Sequence, residues 1–402
     1  MSCVAQTFVA KATMRFTGCE SKPCLRFRRP GFTLVEMLVV LAIIGTLISI
    51  SVPASLKVRA AMRRSECGLR MNQLGIAAQS HLNTRDRMPG FLESFGRFEG
   101  GSDPGDPTSF GGNVPPHEKL GSWHVALLAH LDNQPLYERW SMDRYPLISN
   151  NGEFPSTIDG YSRAAAAPVP SFVCPSGTGH ISDFGLNHMV ANVGLHPSTP
   201  VVTYLRDGKP TTLDFPRSQS NANGIFHNRY PGWIGSTSIQ ADVAAAFRQD
   251  DFRDGRSQTL LLTENANAGP WHRADFAGGV ALTQLVTVGD KTLVSYPVES
   301  RYVWGVPWHF CDPKGVVGAP PVSPELKFNG GDEHIAELTP GDFISASRPS
   351  SHHEAGVNVL FADGSVQFVN EAVDYRTFQA WMTPQTTRSD MPFREFPTTS
   401  SL

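Results

Sequence analysis

Charged side chains are scarce in this chain, whereas glycine and proline are plentiful. Asp, Glu, Lys and Arg make up 18% of the residues, beside 36 Gly and 31 Pro. This composition favours a turn-rich domain containing β-strands over a helical bundle. The formal net charge of −3 lacks the basic excess of a nucleic-acid-binding surface, so we expect no nucleic-acid partner.

Cysteine is too sparse to hold a fold of this size together by disulfides. The chain has six cysteines in 402 residues, and three of them precede residue 31. A fourth, Cys67, lies in a predicted helix, and the cysteine and histidine spacing fits no zinc motif. Cys174 and Cys311 remain, and they are the one candidate disulfide.

The short motifs of common catalytic sites are also missing. The sequence has no HExxH, Cys-x-x-Cys, GxSxG, Walker A or GxGxxG pattern. Glu264, after the run Leu260 to Thr263, is a candidate catalytic carboxylate at a strand end. The alternative, which we favour, is a strand-end Glu bonded to backbone or to an Arg. We therefore expect a non-enzymatic protein with no catalytic residue.

Histidine and aspartate clusters are the remaining candidates for a metal site. His352 and His353 are adjacent, and in an extended chain they point to opposite faces, so they cannot chelate one ion without a bend. We expect no metal there and no cofactor. Calcium remains an alternative at clustered aspartates that lack EF-hand spacing. These are Asp103, Asp106, Asp250, Asp251 and Asp254.

One long apolar run lies near a basic N-terminus. Glu36 is the only charged residue between Arg29 and Lys57. The run is close to the about 20 residues that a bilayer core requires, and it predicts a transmembrane helix over about 32–52. A buried soluble helix is the alternative. Basic residues flank the run on both sides, so the positive-inside rule alone does not orient it.

The start of this run carries a specific pattern. Gly31-Phe32-Thr33-Leu34-Val35-Glu36 resembles the cleavage and methylation signature of type IV prepilins and type II secretion pseudopilins. Glu36 is the fifth residue after Gly31, and Pro53 is the twenty-second, where that family often has a helix-kinking proline. The match covers about residues 28–82.

This resemblance implies processing and assembly. A prepilin peptidase would cut between Gly31 and Phe32, remove the leader 1–31 and leave Phe32 methylated. Glu36 is costly in hydrocarbon unless it is partnered, and it would pair with the methylated amine of a neighbouring subunit. A Glu36 shallow enough to reach headgroups is the alternative. The implied partners are the peptidase, membrane lipid, and other pilin-like subunits or secretion machinery.

The resemblance also implies a location. The protein would cross the cytoplasmic (inner) membrane once, with its N-terminus in the cytoplasm and its globular domain periplasmic or extracellular. Two other signals compete. Val52-Pro53-Ala54 before Ser55 has the small-residue character of a signal-peptidase site, and Arg28-Arg29 suggests twin-arginine export. An internal start at Met14 would shorten the leader.

The rest of the chain predicts an α+β fold, in which a long pilin-like helix packs on a mainly antiparallel, loop-rich globular domain. After Pro53 the helix continues to residue 83, and its apolar residues at helical spacing are Leu56, Met62, Leu69, Ile76 and Ala77. Residues 84–120 are predicted as loop, and Ser122 as the cap of a helix starting at Trp123. Strands are predicted over 171–174, 259–263, 357–362 and 365–369.

A second resemblance covers this region. The chain is similar to the domain-of-unknown-function family 1559, found behind prepilin-type N-termini in bacteria. The matching pieces are Gly121 to Trp123 through Tyr137, Phe172 to Pro175, Asp254-Gly255 with Ser257 and Thr259, and His353-x9-Asp363-Gly364. Arg256 and Gln258 depart from the family's usual residues.

The last of these motifs predicts a hairpin. Asp363-Gly364 between alternating runs indicates a two-residue turn that pairs Phe361 with Val366 and Val359 with Phe368. Ten extended residues would then separate His353 from the turn, so we predict that His353 and Asp363 are not a catalytic pair. His353 is predicted to bond backbone near the strand start.

These predictions divide the chain into a leader (1–31), a helix (32–83), an exported domain (84–384) and a flexible tail (385–402). The predicted function is a membrane-anchored, pilin-like structural or secretion-associated protein of unknown ligand. The alternative is an exported enzyme or glycan-binding protein that uses the helix only as a tether.

Overall fold

The structure is a computed structural model, and the chain divides into two compact units, residues 1–56 and 57–402. The residues that it describes are 31–98, 117–141, 166–177, 185–196, 203–206, 209–213, 215–230, 233–234, 239–240, 244–272, 284–288, 291–295, 302, 304–311, 326–329 and 346–392. The leader 1–30, Asp103 and Asp106 therefore lie outside the described residues.

Five α-helices and thirteen strands are described. The helices are α1 (Leu34–Arg85), α2 (Trp123–Leu128), α3 (Gln134–Ser141), α4 (Phe215–Ser218) and α5 (Tyr375–Met382), with 3-10 helices at Pro170–Phe172, Gln249–Asp251 and Arg256–Gln258. The strands are β1 (Glu93–Phe98), β2 (His117–Gly121), β3 (Met189–Leu195), β4 (Thr203–Arg206), β5 (Lys209–Thr212), β6 (Trp233–Ile234), β7 (Ile239–Gln240), β8 (Leu260–Glu264), β9 (Gln284–Val288), β10 (Lys291–Ser295), β11 (Gly305–Trp308), β12 (Gly356–Phe361) and β13 (Val366–Asn370).

The predicted long N-terminal helix is confirmed as α1, which includes Pro53. Its first turn is capped reciprocally. Thr33 N and Thr33 Oγ1 both donate to Glu36 Oε2 at 2.8 Å, and Glu36 N donates back to Thr33 Oγ1 at 3.3 Å. This is the arrangement of a capping box, which satisfies backbone donors that a helix start would otherwise leave free.

A five-stranded sheet is the centre of the second unit, in the order β11-β3-β8-β12-β13. Its pairs are antiparallel except β11 with β3, so the predicted α+β class with a mainly antiparallel sheet is confirmed. β3, β8 and β12 are buried along their whole length. Strands that are covered on both faces have no solvent side, which explains their continuous apolar runs.

Two hydrophobic clusters cover the two faces of the sheet. On β3, Ala191 belongs to one cluster and Val190 to the other. The first cluster includes α1 side chains from Cys67 to Leu82, and the second includes α5 side chains such as Trp381. The part of α1 after residue 56 therefore packs on one face of the sheet, and α5 packs on the other.

The buried face of α1 differs from the predicted one. Cys67, Met71, Leu74 and Ala78 are buried against the domain, whereas Met62, Leu69 and Ile76 are exposed. Of the apolar residues that the prediction grouped on one face, only Ala77 is buried. The hairpin β12–β13 lies close to the buried face of the helix: a Cβ at Gly75 would meet Leu360 Cδ1 at 3.0 Å.

The predicted hairpin exists, but its register is shifted by one residue. Leu360 pairs with Val366 and Val359 with Gln367, so the loop is Ala362-Asp363-Gly364 rather than two residues. Gly364 has φ +91°, and Phe361 N donates to Ser365 O at 2.9 Å. A three-residue loop with Gly in the left-handed region is the next most common hairpin type. The predicted register assumed that β12 has one buried and one exposed face. Both of its faces are buried, so burial does not distinguish the two registers.

Three further expectations are corrected. Residues 171–174 are no strand, because Pro170 starts a 3-10 helix there. The predicted loop 84–120 contains β1 and β2. The predicted flexible tail is packed as far as residue 392: Thr386, Ser389 and Asp390 are buried, and Asp390 pairs with Arg217.

Ser122 caps α2 as predicted, accepting a hydrogen bond from His124 N.

Candidate functional site

The first half of α1 is long and apolar enough to cross a membrane. An 18-residue window of this helix has a mean hydropathy of 2.4, and none of it is buried. Apolar side chains surround the helix here, which a soluble helix with one buried stripe would not show. Gly31 and Phe32, the predicted cleavage residues, lie just before the helix and are exposed.

An exposed apolar stripe continues along α1 beyond residue 56. Met62, Leu69 and Ile76 recur every seven residues and are 66%, 67% and 60% exposed. Seven residues are close to two helical turns, so the three side chains lie on one face of the helix. That face is opposite the one that packs on the sheet. Polar side chains, among them Glu66 and Gln73, lie between the three apolar side chains on it.

A buried cluster of four side chains lies under the same helix. Cys67, Cys174, Glu264 and His353 converge so that their ligand atoms all lie within 4.8 Å of one another. His353 Nε2 is 3.3 Å from Cys174 Sγ and 3.3 Å from Glu264 Oε1, and Cys67 Sγ contacts Glu264 Oε1. Within the described residues, no other group of His, Cys, Asp and Glu converges in this way.

Four separate segments bring these side chains together. Glu264 ends β8, the central strand, beside Asn358 of β12, whose N donates to Glu264 Oε2 at 2.8 Å. Cys67 comes from α1. Cys174 follows the Pro170–Phe172 3-10 helix, which Arg70 of α1 ties down by donating to Val173 O at 2.8 Å.

His353 enters from the turn before β12. Its backbone N donates to Ser351 Oγ at 3.1 Å, and Ser351 Oγ in turn donates to Gly356 O at 2.7 Å. These two bonds hold the residue at the strand start. The side chain therefore points to the cluster, whereas the sequence predicted a bond to backbone.

The cluster carries opposite charges in a dry environment. Burial lowers the pKa of His353, but hydrogen bonds with Cys174 and Glu264 outweigh it and raise that pKa to about 9. Burial likewise raises the pKa of Glu264, yet His353 and the Asn358 N–H hold it below its usual value. A buried carboxylate and imidazolium stabilise each other when they are this close.

The two thiols differ. A hydrogen bond with Cys67 lowers the pKa of Cys174 to about 7 against the effect of burial, and His353 contributes in the same direction. Burial raises the pKa of Cys67, which also lies beside the Glu264 carboxylate. The arrangement is a proton-sharing network of two sulfurs, one oxygen and one nitrogen, with the donor atoms that soft or borderline metal ions prefer.

The predicted disulfide between Cys174 and Cys311 is wrong, because both are free thiols. Cys174 belongs to the cluster covered by α1, and Cys311 to the cluster covered by α5. The two therefore lie on opposite faces of the sheet. Cys311 Sγ donates to His309 O at 3.4 Å instead.

His353 and Asp363 have separate roles in the structure. Asp363 Oδ1 is exposed and accepts from Ser365 N at 2.9 Å and from Ser365 Oγ at 2.7 Å, which shapes the loop. Asn72 of α1 donates to Gly364 O at 2.9 Å. One end of the motif therefore joins the buried cluster, and the other docks the hairpin on α1.

Two of the aspartates considered for calcium, Asp251 and Asp254, accept hydrogen bonds from protein donors. Asp251 Oδ2 accepts from Arg248 N at 2.8 Å and from Asn221 Nδ2 at 3.0 Å. Thr386 N donates to Asp254 Oδ2 at 2.5 Å, and Asp250 is exposed. These bonds join the 3-10 helix Gln249–Asp251 and its following turn to neighbouring loops.

Separately, a surface cavity of about 240 Å³ lies beside the end of α1. It is lined by polar and aromatic side chains of α1, β1, α2 and α3, among them His81, Arg85, Glu93, Phe95, His130 and Tyr137. Arg87 pairs with Glu93 at 2.7 Å in its wall. The cavity is large enough for a small polar ligand.

Comparisons with known proteins agree with both parts of the chain. Residues 26–52 match the family model described as "Prokaryotic N-terminal methylation motif". Together with the exposed apolar helix, this defines a membrane-anchored, pilin-like protein. Residues 57–376 match the model described as "Protein of unknown function (DUF1559)". The chain belongs to this DUF1559 family.

A curated relative supports the N-terminal assignment. The chain is 36% identical over 69 residues to the type IV major pilin protein PilA of Myxococcus xanthus (strain DK1622). The match covers 17% of this chain and 31% of that protein, so the chain spans less than a third of the relative's length. No solved structure matches the chain.

Sequence reasoning missed the four-residue cluster. Cys67 and Cys174 are 107 positions apart, and each was considered in isolation or with the wrong partner. The sequence did offer one indication of the cluster. Two of its members, Cys174 and His353, belong to the family motifs, and Glu264 follows the Asp254 to Thr259 motif by five residues. Only the fourth member, Cys67 on α1, had no local pattern.

Proposed function

We propose that the protein is a non-enzymatic, pilin-like subunit that assembles with other pilin-like subunits or a secretion machinery through α1. The observation that carries this proposal is the continuity of α1: the methylation motif starts a membrane helix, and the same helix continues as an exposed apolar stripe. A helix that served only as a membrane anchor would not account for Met62, Leu69 and Ile76, which are exposed on one face of α1 after the membrane segment.

The proposed topology follows from the motif. The N-terminus would lie in the cytoplasm, and the domain after residue 56 would be periplasmic or extracellular. Prepilin peptidase would process the chain at Gly31-Phe32. In the single chain, the Glu36 carboxylate accepts hydrogen bonds from Thr33. In an assembly, it would instead pair with the methylated amine of a neighbouring subunit.

Processing provides the first test. Mass spectrometry of the protein purified from membranes is expected to find a mature chain that begins at Phe32 with a methylated amine. Gly31→Val is expected to remain uncut, whereas Gly45→Ala, in the middle of the membrane helix, is expected to be cut normally. A mature start at Ser55 would contradict the pilin-like proposal.

Assembly provides the second test. Cross-linking in membranes is expected to produce ladders of oligomers in the wild type and none in Glu36→Ala. Thr33→Ala is the matched control, because it removes the side-chain half of the cap and leaves the Glu36 carboxylate. Loss of the ladder in Thr33→Ala as well would show that the helix cap, and not a contact between subunits, is what the assembly requires. If Glu36 pairs between subunits, Thr33→Ala keeps it.

The stripe is tested in the same assay. Leu69→Gln is expected to weaken the ladder without altering the monomer's melting temperature, because Leu69 is exposed and contributes little to the fold. A wild-type chain that stays monomeric throughout would favour the alternative, a tethered binding domain, for which the 240 Å³ cavity is the candidate ligand site.

A further inference from the structure

We propose that Cys67, Cys174, Glu264 and His353 form a four-ligand site for a divalent transition-metal ion of the zinc class. No feature of the pilin-like N-terminus requires this site, and the proposal does not depend on assembly. It rests on the convergence of the four side chains, on their chemistry and on their burial.

The geometry fits a tetrahedral ion. Zinc bonds nitrogen and oxygen at about 2.0–2.2 Å and sulfur at about 2.3 Å, which places its ligand atoms about 3.3–3.8 Å apart. The two contacts that meet at His353 Nε2, to Cys174 Sγ and to Glu264 Oε1, are 3.3 Å each. No pair of ligand atoms in the group exceeds 4.8 Å. Small side-chain shifts would complete the tetrahedron.

The donor set selects the class of ion. Thiolate, imidazole and carboxylate are the ligands of protein zinc sites, and two sulfurs disfavour the hard ions calcium and magnesium. Metal binding would deprotonate both thiols, and a divalent cation would offset most of the negative charge of the two thiolates and the carboxylate. Since all four positions come from the protein, the site is closed and structural rather than catalytic.

The surroundings are those of an ordered ligand shell. Asn358 donates to both carboxylate oxygens of Glu264, from N to Oε2 at 2.8 Å and from Nδ2 to Oε1 at 3.2 Å. Cys174 N donates to His188 Nδ1 at 3.1 Å, which orients the loop that carries its sulfur. Such outer hydrogen bonds fix the direction of metal ligands.

Two alternative explanations of the cluster give a role to only some of its four side chains. A disulfide between Cys67 and Cys174 would use two members and leave a buried carboxylate and imidazole against the bridge. A reactive thiol at Cys174, activated by His353, would need access for a substrate, yet Cys174 is buried beneath α1. A metal ion gives all four groups one role.

The site would link α1 to the sheet. Cys67 belongs to α1, whereas Glu264 is on the central strand and His353 precedes β12. A metal held by all of them would fasten the part of α1 after residue 56 to the central sheet within the second unit. Bound metal would then stabilise the folded state over the unfolded one.

The test begins with the intact wild-type chain, purified without a histidine tag, chelator or added metal. Elemental analysis is expected to find about one zinc-class ion per chain, as for a closed four-ligand site. Cys311→Ser, which changes a buried thiol outside the site, is expected to keep the ion. Cys67→Ser and His353→Gln are expected to lose most of it. Full retention in Cys67→Ser would overturn the proposal.

A second measurement does not depend on the variants folding. The wild-type chain is stripped with a chelator and loaded with Co²⁺. A sulfur-to-cobalt charge-transfer band together with strong visible bands of tetrahedral cobalt is expected, in the wild type and in Cys311→Ser alike. Absence of metal and of these bands would overturn the proposal. So would a peptide map of the untreated chain that shows Cys67 joined to Cys174 with the loss of two hydrogens.

Discussion

Asp390→Ala is expected to lower the free energy of unfolding by about 3 kcal/mol, because it breaks a buried charge pair. Asp390 accepts from Arg217 Nε and Nη2 at 2.8 and 2.9 Å, and from Asn223 Nδ2 at 2.8 Å. Arg217 is 39% exposed, so solvent screens part of the loss. Asn223 is buried and would lose a partner. Urea denaturation of the full chain in detergent, followed by tryptophan fluorescence, measures the change.

The control for this variant is Asp250→Ala. Asp250 carries the same side chain in an exposed position of a neighbouring loop, so its loss is expected to change the stability by less than about 0.5 kcal/mol. Equal effects of the two substitutions would show that the segment after Pro384 does not hold the domain together.

Trp123→Ala is expected to be more costly, at about 4 kcal/mol, because it empties the centre of the cluster under α1. The Trp123 ring is fully buried and lies 6.3 Å from Phe172 and 5.8 Å from Phe226, between ring centroids. Its Nε1 also donates to Trp304 O at 2.8 Å. The same denaturation experiment measures both losses together.

Trp123→Phe separates packing from hydrogen bonding. Phenylalanine keeps most of the ring contacts and leaves Trp304 O without its donor, so we expect a loss of about 2 kcal/mol. If Phe costs as much as Ala, the hydrogen bond to Trp304 rather than the ring packing dominates, and the assignment of Trp123 to the core would need revision.

Local sequence patterns predicted a structural element correctly where the residues that determine it are close together in the sequence. The membrane helix follows from an apolar run of bilayer length, and the cap of α2 follows from Ser122 before Trp123. The hairpin was predicted correctly from Asp363-Gly364, but the predicted two-residue loop was wrong. Register depends on which strand face is buried, and β12 is buried on both faces.

The packing of α1 shows why pattern alone misled. The exposed Met62, Leu69 and Ile76 appear in the sequence as a normal buried face of an amphipathic helix. The sheet instead packs against Cys67, Met71, Leu74 and Ala78, where Gly75 admits Leu360 at close range. Helical spacing of apolar residues does not by itself identify the buried face, because single exposed apolar side chains are common on protein surfaces.

By itself, the sequence determined that this protein carries a prepilin-type motif and an apolar run of bilayer length and belongs to the DUF1559 family, since each of these features is recognised from short local patterns. Only the tertiary structure decided that Cys67, Cys174, Glu264 and His353 meet at one point. Their positions in the chain span 286 residues, and their convergence depends on strand order and on which face of α1 meets the sheet. Strand order and the packing face of α1 cannot be predicted from local residue spacing, because both depend on how elements that are distant in sequence pack together.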